Sequence, residues 1–434
     1  MFRVARSAGW RCAPAERAWT GTRRWLGEWT ARPLVSLHLL LATFGLLTLL
    51  GLVMVLSASS IEAYQDTGNS FAVFDKQLVS CAIGLVLFVV GLRTRPDRLR
   101  SLSPYLLVAV GVLLAAVLVP GLGSAALGAQ KWFLIGGVSM QPSELAKVAL
   151  VLWGAHVLAL RHRLVHRWRD VLVPLVPVAL VVATLVVVEP DLGTTVCFGI
   201  VLFALLYFAG APTRLLAALG AAAAAATVAL AFGASYRLSR VTSFLTPDAA
   251  DPQGPGYQAR QALYSLADGG LLGAGLGQGA AKWSYLPNAA TDFIFAIVGE
   301  ELGLVGALAV VALFVVLGFT GLRIAARNVD PFNRTAAATL TALLVGQAFI
   351  NIGYVIGLLP VTGITLPLIS AGGNSIEVSM FAFGLLANFA RHEPAALAAL
   401  RDKPGLARIL GPSTAPPPLA PAGRRTPPRT ATAG

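Results

Sequence analysis

The chain has 434 residues, of which 56% are hydrophobic and only 12% are charged, and its mean hydropathy is +0.74. A soluble domain does not need so much apolar side chain, and uncharged runs of the length that crosses a bilayer core of roughly 30 Å recur along the whole sequence. The formal net charge of +13 does not indicate a nucleic-acid partner, because the placement of the basic residues explains it. These features predict an all-α, polytopic membrane protein.

The apolar runs predict ten transmembrane helices. They lie near residues 34–58, 76–93, 104–121, 144–160, 171–188, 192–210, 214–233, 292–322, 335–358 and 368–390. An even number of spans places both termini on the same side of the membrane. A cytoplasmic placement puts 26 of the 33 Lys and Arg residues inside. The positive-inside rule therefore predicts that both ends are cytoplasmic.

Two tails flank the predicted membrane domain of residues 34–395. The basic residues 1–33 lack the apolar core and cleavage site of a signal peptide, so we expect them to form a cytoplasmic tail. Residues 396–434 are rich in Pro and Ala with scattered Arg, which is typical of a disordered tail. The three cysteines and five histidines show no metal-ligand spacing, so no zinc site or disulfide framework is predicted.

The longest predicted extracytoplasmic segment spans residues 234–291, and a connection of this length is expected to be functional. Within it, "YQARQALYSLA" predicts a short amphipathic helix. The following "GGLLGAGLGQG" is a Gly-rich turn segment without the strand–turn–helix context of a phosphate loop. Basic residues on the outer side run against the positive-inside bias, and either anionic phosphate or lipid headgroups would explain them. These residues are Lys131, Arg237, Arg240, Arg260 and Lys282.

Asp292 follows this segment directly, in "YLPNAATDFIF". One interpretation makes it the N-cap of the span that starts at Phe293, because Asp accepts backbone N–H groups at helix starts. The other makes it a general base at the outer membrane surface, where partial desolvation moves the pKa of a carboxylate toward the working range. The residues alone leave both interpretations open.

Further charged residues fall within predicted spans, where each needs a partner or water. Glu144 and Lys147 are three residues apart and share a helix face, which predicts an ion pair that is either structural or lines a substrate path. Glu300 and Glu301 lie about two helical turns beyond Asp292. For these two acids we expect structural pairing that helps to hold the helix presenting Asp292.

Several longer motifs resemble the SEDS family (shape, elongation, division and sporulation proteins). They are "GAQKWFLIGGVSMQPSELAKVALVLW", "EPDLGT", "YRLSRVTSFLTP", "GPGYQARQALYSLADGGLLGAGLGQG", "YLPNAATDFIFAIVGEELGLVG" and "INIGYVIGLLPVTGITLPLISAGGNS". The motifs occur in collinear order across the predicted membrane domain. Within the family, "FIFAIVGEELG", "SAGGNS" and "LANFARHEP" are similar to the actinobacterial division branch rather than to the elongation branch.

This resemblance implies a peptidoglycan glycosyltransferase that polymerises lipid II on the outer face of the cytoplasmic membrane, at the division septum. The implied partners are a class B penicillin-binding protein that crosslinks the strands, other division proteins, the lipid II substrate and membrane lipids. In the family the aspartate of the "TDFIF" motif is essential and is proposed to be catalytic, which here is Asp292. Of the external cations, Lys131, Arg240 and Lys282 are then the first candidates to bind the departing pyrophosphate. A divalent metal, Mg²⁺ or Mn²⁺, stays open as a cofactor, although no ligand cluster is readable.

The turn before Asp292 departs from the family pattern. The family carries a Glu and a His there, as in "PEAHTDF", where this chain has Asn288 and Ala290. That difference favours a mechanism with a single base. Three alternatives remain: a lipid II flippase, an elongation-type polymerase, and a scaffold that recruits division proteins through its tails. Against the flippase, the sequence shows no inverted repeat and no matching pair of Gly/Pro-broken helices.

Overall fold

The computed structural model describes residues 32–126, 129–135, 138–161, 168–189, 191–232, 242, 244, 255–283 and 286–401. Helices dominate these residues. In chain order they are α1 (Val35–Thr67), α2 (Ala72–Arg93), α3 (Pro96–Val117), α4 (Pro142–Leu160), α5 (Trp168–Val188), α6 (Leu192–Phe208), α7 (Thr213–Phe232), α8 (Pro255–Gly269), α9 (Ile294–Arg327), α10 (Pro331–Val355), α11 (Gly373–Arg391) and α12 (Pro394–Arg401).

Each predicted span overlaps one helix, in the predicted order. Within the described part of the chain, six helices are long and apolar enough to cross a bilayer by length and composition, namely α1, α2, α3, α4, α9 and α10. Helices α5, α6 and α7 contain shorter apolar stretches. Large apolar side chains such as Val86, Val108 and Phe349 face outward, as lipid-facing side chains do. The prediction of a helical, polytopic membrane protein is confirmed.

Helix ends differ from the predicted bounds because helices continue beyond the apolar run into water. Helix α1 extends to Thr67, nine residues past its predicted end at residue 58, and Gly68 then closes it in the left-handed conformation with φ 72°. Helix α3 begins at Pro96, in the first turn, where the missing N–H of proline costs nothing.

A small antiparallel sheet between α3 and α4 was not predicted. Its strands are β1 (Ser124–Ala126), β2 (Ala129–Ile135) and β3 (Val138–Met140), with β2 in the centre. Ser124 pairs with Trp132, and Phe133 pairs with Met140. The strands lie between the predicted spans 104–121 and 144–160, and the other regular elements of the described residues are helices.

The buried core runs along the middle of the helix bundle. Helix α11 packs closely along α2, α10 packs against α9, and α4 and α6 also pack against α10. At the predicted cytoplasmic face, Arg327 at the end of α9 forms an ion pair of 3.6 Å with Glu393, which precedes α12. Helices α9, α10 and α11 bring together the segments that carry the candidate site.

The predicted C-terminal tail begins with structure. Helix α12 covers the first residues of the range 396–434 that was expected to be disordered, and its Ala396 and Leu400 are buried. That part of the prediction is wrong because the two apolar side chains share one helix face and pack onto the bundle. Residues 402–434, like residues 1–31, lie outside the described residues.

Candidate functional site

Asp292 lies two residues before the first residue of α9 and is partly exposed, whereas Phe293 and Ile294 after it are buried. Helix α9 begins at Ile294, and the N-cap position belongs to Phe293, whose side chain makes no capping hydrogen bond. The capping interpretation required Asp292 at that position. The structure therefore places the carboxylate one residue ahead of the N-cap.

The peptides before Asp292 are tied to the segment that leads into α11. The Ala290 carbonyl accepts a hydrogen bond from the Ala371 N–H at 2.8 Å. The Thr291 carbonyl accepts one from the Ser370 hydroxyl at 2.7 Å. Because two successive carbonyls are held from the same side, this stretch has little freedom to rotate.

The Asp292 carbonyl is held by helix α10. The Asn351 amide donates to it at 2.9 Å, and the Tyr354 hydroxyl lies 2.8 Å from it. The same two side chains reach the Ile364 carbonyl, at 2.7 Å and 2.8 Å. Three consecutive peptide carbonyls, at residues 290, 291 and 292, thus have partners outside their own segment.

Asn288 gives the turn before Asp292 its shape. Its φ is 58°, in the left-handed region, and its carbonyl accepts the N–H groups of Thr291 and Phe293 at 3.2 Å each. Asn adopts this conformation more readily than most residues other than glycine. The residue that replaces the family's Glu therefore has a conformational role here.

Helix α9 is interrupted at Gly303, where φ is 69° and ψ is −170°. The interruption frees the backbone carbonyls of Glu300 and Glu301 from their helical partners. They accept the N–H groups of Ala274 and Gly275, at 2.9 Å and 3.1 Å. The segment that contains Ala274 and Gly275 is thus hydrogen-bonded to the backbone at the break.

The Gly-rich segment (residues 270–283) also accepts hydrogen bonds from the far side of the break. The Leu304 N–H donates to the Gly270 carbonyl at 2.9 Å, and the Val305 N–H donates to the Leu271 carbonyl at 3.3 Å. Irregular backbone at membrane depth needs such internal partners because lipid offers none. The Gly-rich segment, predicted as a turn, is therefore joined to the break in α9 through four backbone hydrogen bonds.

A buried ion pair fastens the end of the Gly-rich segment. The Lys282 ammonium lies 3.2 Å from the Glu301 carboxylate, and the Ser57 hydroxyl of α1 donates to the same carboxylate at 2.7 Å. Lys282 is only 6% exposed and Glu301 only 1%. The sequence suggested Lys282 as a pyrophosphate ligand, but this geometry favours a structural role.

Glu300 holds the same segment through its backbone. Its carboxylate accepts the N–H groups of Ala280 and Ala281, at 2.5 Å and 3.1 Å. The residue is 2% exposed. Glu300 and Glu301 therefore both tie the Gly-rich segment to α9, and their role in holding the helix that presents Asp292 stays a prediction.

Replacing Gly273 with Ala is expected to destabilise the fold by about 2 kcal/mol or more. Gly273 has φ 84°, and a Cβ atom there would collide with the backbone carbonyl of Glu301. Gly275→Ala is the matched control, because its φ is 103° but the nearest atom to a Cβ is 3.6 Å away. The thermal unfolding midpoint in detergent measures the difference, and equal midpoints for the two variants would contradict the close packing at the break.

A second polar cluster surrounds Asp191, the N-cap of α6. Its carboxylate accepts from the Thr194 N–H at 2.9 Å, the Gln141 amide at 3.2 Å and the Lys131 ammonium at 3.3 Å. This turn packs against the loop after α10, since a Cβ atom on Gly193 would lie 2.6 Å from the Thr362 carbonyl. The Asp191 cluster and the Asp292 segment therefore contact the same loop, residues 356–372.

The ion pair expected from the spacing of Glu144 and Lys147 is present, with 2.8 Å between the ammonium and the carboxylate. The Lys147 side chain is only 2% exposed, and that of Glu144 is 12% exposed. Both residues lie in the first two turns of α4. A pair this closely satisfied favours the structural interpretation over a substrate path.

The external cations differ in how accessible they are. The Lys131 side chain is 27% exposed beside Asp191, and Arg260 on α8 is partly exposed. Arg237 and Arg240 lie outside the described residues. Among the described residues, no group of three or more His, Cys, Asp or Glu side chains could hold a metal ion. A requirement for Mg²⁺ or Mn²⁺ stays a hypothesis.

Glu189 is expected to make stability depend on pH. It follows the end of α5 and is fully buried, and burial raises the pKa of its carboxyl to about 8, with Asp191 adding to the rise and Lys131 opposing it. The folded protein thus keeps a proton that the unfolded chain, with an ordinary pKa of 4.5, releases. Stability therefore falls as the pH rises from that value to about 8, and changes little above it.

Glu189→Gln should remove this dependence, because the amide is neutral at every pH. Thermal midpoints in detergent, measured between about pH 5.5 and pH 8.5, check it. The midpoint of the wild-type protein should fall over this range, whereas that of the Gln variant should fall less. The exposed Glu62→Gln variant serves as the control. Parallel curves for the wild-type protein and Glu189→Gln would contradict a proton on Glu189.

These features define a polytopic helical membrane protein that presents an aspartate at the start of a broken helix. Residues 37–395 match the profile of the FtsW/RodA/SpoVE family of cell cycle proteins. The chain belongs to this family, as the resemblance to SEDS proteins implied.

Two relatives with known names differ in how similar they are to this chain. The probable peptidoglycan glycosyltransferase FtsW of Mycobacterium tuberculosis is 51% identical over 396 residues, which cover 91% of this chain and 75% of that protein. The stage V sporulation protein E of Bacillus subtilis is 38% identical over 358 residues, which cover 82% and 97%. The high identity to a mycobacterial FtsW supports the predicted division branch.

Solved structures agree with membership of the FtsW/RodA/SpoVE family. A chain from a study of how a peptidoglycan synthase complex coordinates polymerization and crosslinking superposes with a TM-score of 0.68 at 29% identity, covering 82% of this chain and 97% of that one. The rod shape determining protein RodA of Thermus thermophilus gives 0.60 at 27% identity, with 85% and 99% covered. Both likenesses extend over most of the described membrane domain.

The sequence did not point to Asn351, Tyr354 or Ser370 as parts of the site. A signal was available for the first two, because "INIGYV" places an amide and a hydroxyl in an apolar run, where each needs a partner. Ser57 offered no such signal, since serine often bonds its own helix backbone. Its role depends entirely on where α9 lies.

Proposed function

We propose that this protein is a peptidoglycan glycosyltransferase, which polymerises lipid II on the outer face of the cytoplasmic membrane during division. The observation that carries the proposal is Asp292, partly exposed at the start of α9 with its backbone held by neighbouring segments. Identity of 51% to a protein named probable peptidoglycan glycosyltransferase FtsW supports it. The septum is the proposed location.

In the proposed reaction, the 4-hydroxyl of an incoming lipid II sugar attacks the anomeric carbon of the growing strand. Asp292 takes the hydroxyl proton as the new C–O bond forms. The bond from the anomeric carbon to the pyrophosphate oxygen breaks, and undecaprenyl pyrophosphate leaves with the bonding electrons. Because Asn288 and Ala290 provide neither an acid nor an imidazole, Asp292 acts as a single base.

Positive charge is needed where the pyrophosphate departs. Lys131 is the first candidate among the described cations, because part of its side chain is exposed while Asp191 holds it in place. Arg260 on α8 is the second. Lys282 would have to leave Glu301 to reach the substrate. Arg237 and Arg240 remain candidates from the sequence.

We further propose that the chain works with a class B penicillin-binding protein, which crosslinks the new strands, and with other division proteins. The likeness to a chain from a peptidoglycan synthase complex supports such a partner. Lipid tails of the substrate would lie against the apolar outer surfaces of the helices, which expose many large side chains.

Reconstitution separates this function from the flippase alternative. The full-length protein is placed in vesicles with lipid II, with and without the penicillin-binding partner, and glycan strands are resolved on a gel. Polymer formation supports the proposal. Movement of lipid II between leaflets without any polymer would instead establish a transporter. Stimulation by an elongation-type partner alone would assign the protein to the elongation branch.

A further inference from the structure

We propose that Asn351 and Tyr354 are positioning residues, which hold the backbone of Asp292 so that its carboxylate meets the acceptor hydroxyl. This inference rests on the proposed function of Asp292 as the base. Neither residue contacts the reacting atoms in this role. They act through the peptide that carries the base.

The side chains of Asn351 and Tyr354 link two backbone carbonyls. The Asn351 amide has two N–H groups and the Tyr354 hydroxyl has one O–H, so three donors serve the carbonyls of Asp292 and Ile364. The two side chains also contact each other, at 2.7 Å. Both residues are fully buried. The two donor side chains are therefore shielded from water.

The ring of Tyr354 contacts the residue that follows Asp292. It packs edge-on against Phe293, with ring centroids 5.7 Å apart and an interplanar angle of 73°. Tyr354 thus fixes the peptide of Asp292 through its hydroxyl and the side chain of Phe293 through its ring. The residue that carries the base is held from both of these sides.

Hydrogen bonds that fix the Asp292 peptide are expected to affect the rate of bond formation more than the binding of lipid II. The Asp292 and Ile364 carbonyls lie outside regular helix and need donors, and a carboxamide and a phenol fixed on α10 supply them from set positions. Their presence at the Asp292 carbonyl makes sense where the direction of one side chain matters. A misplacement of about 1 Å can lower the rate of a reaction about a hundredfold.

Tyr354→Phe tests this directly, because it keeps the ring against Phe293 and removes only the hydroxyl. We expect the kcat of lipid II polymerisation by the reconstituted protein with its partner to fall about ten- to hundredfold, with KM within about twofold of the wild-type value. Rates are normalised to the number of lipid II molecules bound per protein, so that misfolded molecules do not count. Tyr207→Phe, at an exposed tyrosine on α6, is the control and should leave both constants unchanged.

Asn351→Leu is the second variant, and it carries the test if Tyr354→Phe does not fold. It removes both N–H groups, and the same fall in kcat is expected. An unchanged kcat per bound lipid II in a folded variant, with Asp292→Asn inactive, would overturn the positioning role and leave the base in place. A loss expressed only in KM would also overturn it. An active Asp292→Asn would instead overturn the proposed function of Asp292.

Discussion

Replacing Asp292 with Asn is expected to lower the kcat for lipid II polymerisation at least about a hundredfold, because the amide cannot accept the acceptor proton. The fold should be kept, because the N-cap position belongs to Phe293 and Asn has nearly the size and shape of Asp. Steady-state rates of strand formation, measured with the partner present, check the prediction. Asp268→Asn, at an exposed acid of α8, is the matched control and should keep full activity.

Asp292→Glu refines this prediction. It keeps the carboxylate but moves it outward by one methylene group, so we expect a rate between those of the wild-type protein and Asp292→Asn. The capping interpretation predicts the opposite pattern, in which Asp292→Asn loses thermal stability by little and activity not at all, because Asn is also a good N-cap. Full activity in a stable Asp292→Asn variant would return the search to the other polar groups of the outer face.

Lys282→Met should be the most destabilising of the proposed variants, by about 3–5 kcal/mol, because it leaves the Glu301 carboxylate buried without its cation. The double variant Lys282→Met/Glu301→Gln should recover most of that loss. Removing both charges of a buried pair is often nearly neutral, whereas removing one is not. The free energy of unfolding in detergent, or the midpoint where unfolding is irreversible, measures both effects.

The double variant also separates this role from pyrophosphate binding. A Lys282 that serves the substrate would give a single variant with normal stability and low activity, and the double variant would not recover activity. Lys76→Met, at an exposed lysine of α2, controls for the loss of a positive charge. Normal stability of the single variant would contradict the structural role that the geometry favours.

The helices were predictable because the length and composition of an apolar run determine whether it can cross a membrane. The interruption at Gly303 was not predictable, since "GEELGLVGALAVV" reads as one continuous apolar helix. The backbone groups at the break are hydrogen-bonded to the Gly-rich segment, which lies about thirty residues earlier in the sequence. Only the folded bundle shows that the two fit together.

In the candidate site, too, some features follow from local sequence and others depend on the tertiary fold. Asp292 could be named as a candidate, and Glu144 and Lys147 as a pair, because each depends on local sequence: a position at the start of a predicted span in one case and a spacing of three in the other. The contact of Tyr354 with Asp292 spans 62 residues, and that of Ser57 with Glu301 spans 244. Tertiary packing sets both contacts. Local sequence alone therefore makes Lys282 a candidate pyrophosphate ligand, whereas the fold gives it a buried partner.

The most direct test of the central claim is the single-turnover rate at which one labelled lipid II is added to a preformed glycan strand bound to this protein and its partner. This measurement isolates bond formation from substrate entry and product release. We predict a rate at least about a hundredfold lower for Asp292→Asn than for the wild-type protein. Equal single-turnover rates would contradict a catalytic role for Asp292 and with it the proposed mechanism.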